Sequence, residues 1–433
     1  MNYHPQPSLF YDFNIFVELP LHKKLYELFS NLDLSKIKDT NIFVGRTGYS
    51  RHAMFRALIV KNILQLNSIP RLIYFLKNNL FICDLCAFYN YQIPDETQFY
   101  RFINELDTSL IHDLMIDINN QFMDIKKKTL PLESVSIDSK PILAKTRENN
   151  PKYHNRNHTN KHKKPKRNPT ATLGYYATHL NHKGEKVTDL KWGYRTHCII
   201  DNLTGVTLIE FTLPNNLSDN KVAKKLFEAL SEHYDISSLK NIFGDKAYDD
   251  KKLKSYIRKL IGEDTSIFFS RNPRNSKPSL YTIPGPICES GLEMIYDSIL
   301  PTNKNQTKFR IKFRCPVASR STSNFSCCAG HQSLCSGKKY GCVKYLSNIS
   351  KEQAVTLKEF IRSSKLKPAS IRIAVEQYFS RFQAIAFEGA PYFLKNSIKN
   401  HSAIAHLTLS LVALTAYKLG KPHKTRCYLS LTA

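Results

Sequence analysis

The sequence predicts a mixed α+β or α/β chain: an N-terminal helical region, then a mixed-sheet core that an irregular insertion interrupts before C-terminal helices close it. Three observations predict this. Apolar residues recur at spacings of three and four from about residue 10 to 125, the period of amphipathic helices. Short alternating and β-branched runs bounded by turn residues follow, to about residue 270. Residues 271 to 345 are polar, proline-containing and cysteine-rich, and show neither period. A chain of 433 residues buries a large core and divides into two or three domains. The expected boundaries are 1–128 for the helical region, 129–270 for the first part of the core, 271–350 for the insertion and 351–433 for the closing helices.

Taken in order, Met54 to Leu64 repeats its apolar residues at three and four with Arg56 and Lys61 among them, and Ser50 is placed to cap that helix. Pro94 ends a loop before a helix that opens at Asp95-Glu96 and runs through Arg101 and Phe102. Cys83 and Cys86 form a CxxC, but beside Phe81, Ile82 and Leu85 they read as core. Leu132 to Asp138 reads as a short strand ending in an aspartate. Strand signals resume at 173–180, 196–201 and 205–213, the last two joined by a turn over Asp201 to Gly205. Trp192-Gly193-Tyr194 stands just before the second of these, with Gly193 as a turn or bulge residue and Trp192 packed behind it. Ser218 or Asp219 caps a helix whose inward residues are Val222, Ala223, Leu226, Phe227 and Leu230. A strand over 240–243, a helix from Asp250 to Ile261 and a strand over 265–270 complete the run. Three antiparallel-type strands, a helix and a further strand are the order of a ribonuclease H-like core.

Lys and Arg number 63 against 36 Asp and Glu, a formal net charge of +27, which points to a polyanionic partner. Nucleic acid is favoured over a membrane surface, because the cations are spread along the chain and mixed with Asn, Tyr and Phe. No apolar run reaches the roughly 20 residues of a membrane span, and no signal peptide precedes the first aromatic cluster. Ala403 to Leu419 comes nearest, but His406, Thr408, Ser410 and Thr415 interrupt it, so a buried helix is expected. Of ten cysteines, Cys315, Cys327, Cys328, Cys335 and Cys342 share one window. Without an export signal a disulfide framework is not expected. Cys315, Cys327 or Cys328, Cys335 and Cys342, with His331 as a substitute, offer four soft donors to one structural zinc, or else are ordinary buried thiols.

From Lys145 to Pro169, nine cations (Lys145, Arg147, Lys152, Arg156, Lys161, Lys163, Lys164, Lys166 and Arg167) accompany one acid, Glu148. Such a stretch cannot bury enough apolar surface to fold alone, and is expected to be a disordered loop that grips the DNA backbone by charge.

The segment from Ile371 to Ile385 is the one around which the chain is organised. Ile371, Val375, Tyr378, Phe379, Phe382 and Ile385 form its inward stripe, and Glu376 lies at the seam beside Arg372. Asp138 and Asp245 each follow a short apolar strand. Two aspartates on adjacent strand ends and a glutamate on a helix laid against them can hold two divalent cations for in-line phosphoryl transfer.

Ser136-Ile137-Asp138-Ser139-Lys140, Gly244-Asp245-Lys246-Ala247-Tyr248 and Arg372-Ile373-Ala374-Val375-Glu376 resemble the three active-site blocks of the DDE transposases of bacterial insertion sequences. Trp192 to His197 and Pro94 to Phe102 add further matches. The resemblance implies a ribonuclease H-like core with Asp138, Asp245 and Glu376 as catalytic acids on two Mg²⁺ or Mn²⁺ ions. It further implies an N-terminal region that binds element ends, a homo-oligomer on double-stranded DNA, and a bacterial cytoplasmic, nucleoid-associated setting. It makes Arg372 and Gln383 DNA contacts on the glutamate helix, and Arg195 and His197 either DNA-facing or supporting the site. The pattern is incomplete: Ala369 stands where the family has Tyr, and Gln383 where it has a Lys that touches DNA. A catalytically silent DNA-binding repressor, or a nonspecific nuclease of the same fold, therefore stands beside the transposase reading.

Overall fold

A computed structural model describes residues 13–40, 48–127, 132–150, 164–180, 184, 186–263, 265–269, 286, 293–303, 305, 307–315, 342–350, 354–355, 368–386 and 391–426. Two units are distinguished: Met1–Thr265 with Ala369–Ala433, and Ser266–Pro368.

The larger unit opens with helices α1 (Phe13–Val17), α2 (Pro20–Ser30), α3 (Arg51–Ile63), α4 (Ile69–Lys77), α5 (Leu80–Cys86), α6 (Glu96–Glu105) and α7 (Thr108–Lys127). Side-chain caps fix where several begin. Ser50 accepts from Ala53 N at 3.1 Å, as its position predicts, and Asp95 accepts from Gln98 N at 3.0 Å after Pro94. The helical region is divided into several short helices, because turns such as Asn78-Asn79 and Ala87, left-handed at φ 68°, break the apolar period. Cys83 and Cys86 are fully buried, as core residues.

The sheet of the larger unit runs β2 (Thr172–Leu180), β3 (Lys186–Asp201), β1 (Ser134–Leu143), β5 (Asn241–Gly244), with β4 (Thr207–Pro214) also paired to β3, and β6 (Ser266–Phe269) opens the second unit. Strand β3 is the spine. One of its edges serves β2 over Lys186–Gly193 and then β4 over Tyr194–Ile200, while the other serves β1 antiparallel along Gly193–Asp201. Gly193 sits where the three meet, and a Cβ there would lie 2.3 Å from the Ile142 carbonyl oxygen. This long strand corrects two expectations. Trp192-Gly193-Tyr194 is inside β3 rather than before it, and β1 continues past Asp138 to Leu143 because β3 pairs with it that far. Pro141 is tolerated because β5 pairs with β1 only through Ser134–Ile137, leaving that edge of β1 open beyond.

Helix α8 (Asp219–His233) buries Val222, Ala223, Leu226, Phe227 and Leu230, the inward set its period predicts. Helix α9 (Lys251–Ile261) follows β5. Helices α10 (Pro368–Ala386) and α11 (Lys395–Lys418) close the unit. Nearly every residue of α11 from Ser397 to Ala416 is buried, packed against α3, α6, α7 and β4. Asn400 donates to the carbonyls of Ile103 and Leu106, both at 2.7 Å. No helix among the described residues is long and apolar enough to cross a membrane.

The ends of the basic segment belong to the fold, which narrows the expected disordered loop. Asn149 donates to the carbonyls of Ala144 and Trp192 and accepts from Trp192 N. Asn168 is buried and accepts from the Tyr194 hydroxyl at 2.8 Å. Residues 151–163, with Lys161 and Lys163, lie outside the described residues.

In the second unit, the stretch expected to be irregular contains an antiparallel sheet: β7 (Ile295–Pro301), β8 (Lys308–Arg314) and β9 (Val343–Ser350). Phe309, Ile311, Ile349 and Ala354 form its core, joined by Tyr296, Ile299, Phe313 and Leu346. Strand β8 reads Lys-Phe-Arg-Ile-Lys-Phe-Arg, a strict two-residue alternation that the polar, cysteine-rich surroundings obscured.

Candidate active site

Strands β1 and β5 run parallel with Ile137 opposite Gly244, so Asp138 and Asp245 leave neighbouring strands at the same level. Asp138 stands within β1, with only an edge to solvent, and Asp245 ends β5 and caps the short turn Lys246–Tyr248. Each is held through one oxygen. Asp138 Oδ1 accepts from Ser139 N at 2.7 Å, and Asp245 Oδ1 accepts from Lys246 N at 2.6 Å. Among the described residues no donor meets the Oδ2 of either. Burial pushes the Asp138 carboxyl up to about 6 against the pull of the Ser139 amide, and the charges of Asp245 and Asp219 push the same way.

Helix α10 presents Val375, Tyr378, Phe379, Phe382 and Ile385 inward, five of the six residues expected there; the side chain of Ile371 lies outside the described set. Glu376 is on the seam, its side chain 52% exposed, and its Oε1 accepts from Arg372 Nη2 at 2.6 Å. Arg372 is also close enough to Asp138 to favour its charged form. The arginine thus stands electrically between the helix acid and the strand acid. Gln383 lies two turns further along α10 and is half-buried.

Among the described residues no three His, Cys, Asp or Glu side chains stand close enough together to hold a metal ion as placed. The donor set nevertheless fits a hard divalent cation. Two carboxylates that repel one another each keep an oxygen without a donor among the described residues, which is what an oxygen-ligated Mg²⁺ site offers before a cation relieves the repulsion.

Arg195 and His197 are 9% and 0% exposed and point into the protein, which fits the site-supporting alternative rather than the DNA-facing one. Arg195 donates through Nε to Asn215 at 3.0 Å, through Nη1 to Ser139 Oγ at 3.1 Å and through Nη2 to the Tyr175 carbonyl at 2.5 Å. Gly174 makes room for this cradle, since a Cβ there would lie 2.3 Å from the Asn215 carbonyl oxygen. Ser139 Oγ in turn donates to Asp219 Oδ1 at 3.0 Å, and His197 Nδ1 lies 3.4 Å from that oxygen. The sequence marked Asp219 only as a possible helix cap. Ser218 is the cap residue, without a side-chain capping bond, and Asp219 is the first residue of α8.

A second polar cluster occupies the opposite face of β3. Glu210, fully buried, accepts from His112 Nε2 at 2.7 Å and from Thr212 Oγ1 at 3.2 Å. His406 of α11 meets Thr196 Oγ1 through Nε2 at 2.9 Å, and its Nδ1 is bonded to the Tyr378 hydroxyl of α10. An acid inside the apolar run Leu208-Ile209-Glu210-Phe211 was the signal in the sequence that could have revealed it.

Lys164, Lys166 and Arg167 are exposed. Cys315 is buried and its amide donates to the carbonyl of the half-buried Cys342 at 3.0 Å, so these two thiol-bearing residues are neighbours. Cys327, Cys328, His331 and Cys335 lie outside the described residues.

Residues 13–105 match the model of a transposase domain (DUF772), and residues 133–413 match that of the transposase DDE domain. Among solved structures, a cryo-EM structure of a piggyBac transposase synaptic complex with hairpin DNA is similar over 99% of this chain and 83% of that one, at 12% identity and a TM-score of 0.37. That likeness is too loose to transfer residue roles. No curated protein matches the chain. The DDE match by itself takes in both aspartates, the glutamate helix and most of α11, well over half of the sequence, and with the transposase domain ahead of it the conclusion follows that this chain belongs to the DDE transposase family, enzymes that act on DNA.

Proposed function

We propose that Asp138, Asp245 and Glu376 are the catalytic acids of this transposase and that they hold two Mg²⁺ or Mn²⁺ ions for cleavage of element ends and transfer of the resulting 3′-hydroxyl into target DNA. The observation that carries this reading is the pairing of Ile137 with Gly244, which sets two half-free aspartates side by side at one level of the sheet. Bound cations of this kind activate the attacking oxygen and stabilise the departing one in an in-line displacement. The residues of the chain do the rest. Ser139 N and Lys246 N orient the two aspartates by holding one oxygen of each. Arg372, at present closed on Glu376, is placed to exchange that carboxylate for a DNA phosphate, which would release Glu376 toward the aspartates. Gln383 offers amide hydrogen bonds to DNA but no charge.

Asp138→Ala, Asp245→Ala and Glu376→Ala are each expected to abolish Mg²⁺-dependent strand cleavage while leaving binding to element-end DNA within about twofold of wild type. Robust cleavage by one of them removes that residue from the set. Lys161, Lys163, Lys164, Lys166 and Arg167 act on the DNA backbone by charge. Neutralising all five should weaken binding to end and random DNA alike and flatten the slope of log affinity against log salt by up to about 0.9 per lost phosphate contact. Loss of end-specific binding alone, at unchanged slope, would show that the segment reads bases. For the insertion, one structural zinc on Cys315, Cys327, Cys335 and Cys342 is the finer reading, supported by the adjacency of Cys315 and Cys342. Elemental analysis of untagged protein should then give about one zinc per chain, and metal-free protein of unchanged protease resistance would leave the thiols as packing.

A further inference from the structure

Behind the two aspartates, the face of β1 and β3 that packs toward α8 carries a chain of polar contacts that the DDE triad does not use. Ser139 is the register partner of His197 and follows Asp138, the partner of Cys198, so Ser139 and Asp138 leave opposite faces of β1. Ser139 is therefore a hub between faces. Its backbone N–H holds Asp138 Oδ1 on one side, and its hydroxyl accepts from Arg195 and donates to Asp219 on the other. Arg195 is a buried guanidinium whose hydrogen bonds go to an amide oxygen, a carbonyl and this hydroxyl. Its charge and that of Asp219 act on each other through the serine.

Two features set Asp219 apart from an ordinary helix-start acid. Among the described residues its contacts all fall on Oδ1, and its Oδ2 accepts no hydrogen bond. Its negative charge reaches both Asp138 and Asp245, so three carboxylates converge on one field from three elements, β1, β5 and α8. The independent observation is His197. This imidazole is completely buried, its Nδ1 lies 3.4 Å from Asp219 Oδ1, and neither ring nitrogen makes a hydrogen bond among the described residues. A buried polar ring left without a hydrogen bond costs free energy, so its place beside Asp219 calls for a reason beyond packing.

We propose that Asp219 is a fourth acidic residue of the transposase site, a positioning residue that acts through Ser139 on the strand carrying Asp138 and adds its charge to those of Asp138 and Asp245 in drawing in divalent cation. The inference rests on the reading of Asp138 and Asp245 as cation-holding acids. With a cation held by Asp138 and Asp245, Asp219 Oδ1 would be the acceptor within reach of His197 Nδ1, 3.4 Å away.

The test measures Mn²⁺ binding to the full chain by electron paramagnetic resonance, beside strand cleavage and end-DNA binding, for wild type, Asp138→Asn, Asp245→Asn, Asp219→Asn, Asp219→Glu and Ser139→Ala. Asp219→Asn is expected to weaken Mn²⁺ binding at least tenfold and to lower the cleavage rate at saturating DNA, with end-DNA affinity unchanged. Part of the loss should be recovered at high Mn²⁺. Asp219→Glu should restore most of the binding, and Ser139→Ala, which keeps the charge and loses the anchor, should weaken it about threefold. Wild-type Mn²⁺ binding and wild-type metal dependence of cleavage in Asp219→Asn overturn the proposal, provided that Asp138→Asn and Asp245→Asn lose Mn²⁺. If those two also bind Mn²⁺ normally, the underlying reading of the site fails instead. Should Asp219→Asn unfold, the comparison of Asp219→Glu with Ser139→Ala decides: loss of Mn²⁺ in neither of these folded variants overturns the proposal.

Discussion

Strand β3 has a polar cluster on each face, and the two are built differently. On the face toward α7, α10 and α11, Glu210, His112, Thr196, His406 and Tyr378 satisfy one another: the carboxylate takes His112 and Thr212, and both nitrogens of His406 meet hydroxyls. On the face toward α8, Arg195, Ser139 and Asp219 are linked, but among the described residues His197 makes no hydrogen bond and Asp219, at 23% exposure, keeps an oxygen without one. A buried network that closes on itself specifies packing, because each member would be costly alone. One left open beside acids of an active site has capacity for a further partner. The first cluster also ties α10 to the sheet, since His406 bonds both Thr196 of β3 and Tyr378, which stands two residues from Glu376 on α10, so it serves the site by holding the helix rather than by joining the chemistry.

The sharpest way to break this contrast is to remove the acid from each cluster. Glu210→Ala strips the buried partner of His112 and should destabilise the protein by about 3–5 kcal/mol in urea unfolding. Asp219→Asn should cost about 1 kcal/mol or less in the same measurement, while impairing cleavage. Equal stability losses would mean that both clusters are structural.

Proton linkage separates the members of the closed cluster and its neighbour. Burial holds His406 down to about 4, and burial with the charge of Lys61 holds His401 down to about 3, both below the usual 6.5. The unfolded chain therefore takes up protons first. Stability from these histidines is full above pH 6.5 and is lost as pH falls toward 4, on the order of 3 kcal/mol for His406. His112 behaves oppositely. Burial lowers its pKa, but the hydrogen bond and charge of Glu210 outweigh that and leave it raised. Its contribution is present below pH 6.5 and fades as pH rises through the raised value. A set of urea unfolding curves from pH 4 to 8 should show the acid-side loss, reduced in His406→Gln. A flat profile would refute the buried neutral state.

The smallest effect sharpens the role of a single bond. Thr196→Val removes the hydroxyl at 2.9 Å from His406 Nε2 and leaves that nitrogen without this partner, which should cost about 1–2 kcal/mol. Because Thr196 lies on the closed face, its cleavage rate at saturating DNA should stay within about threefold of wild type. A larger fall would show that the tie to α10 controls Glu376 directly.

How much was legible follows from what each feature depends on. Local period and punctuation were enough for the Ser50 cap, the helix start after Pro94, the buried set of α8, strands β2, β4, β5 and β6 to within about two residues, and the inward stripe of α10. They also identified α11 as a buried helix rather than a membrane span, because polar residues interrupt its apolar run. The short blocks around Asp138, Asp245 and Glu376 carried the family, because catalytic chemistry constrains residue type and its immediate neighbours. Long-range pairing decided the rest. Strand β1 runs past Asp138, and Gly193 lies mid-strand, only because the 16-residue β3 supplies partners that far. The alternation in β8 could be read as a strand only once β7 and β9 flank it. That Arg195 and His197 turn inward, that Asp219 meets Ser139, and that Glu210 meets His112 across 98 positions are facts of sheet register and helix packing. A side chain's face depends on which strand lies beside it, and the sequence determines that neighbour only through the whole fold.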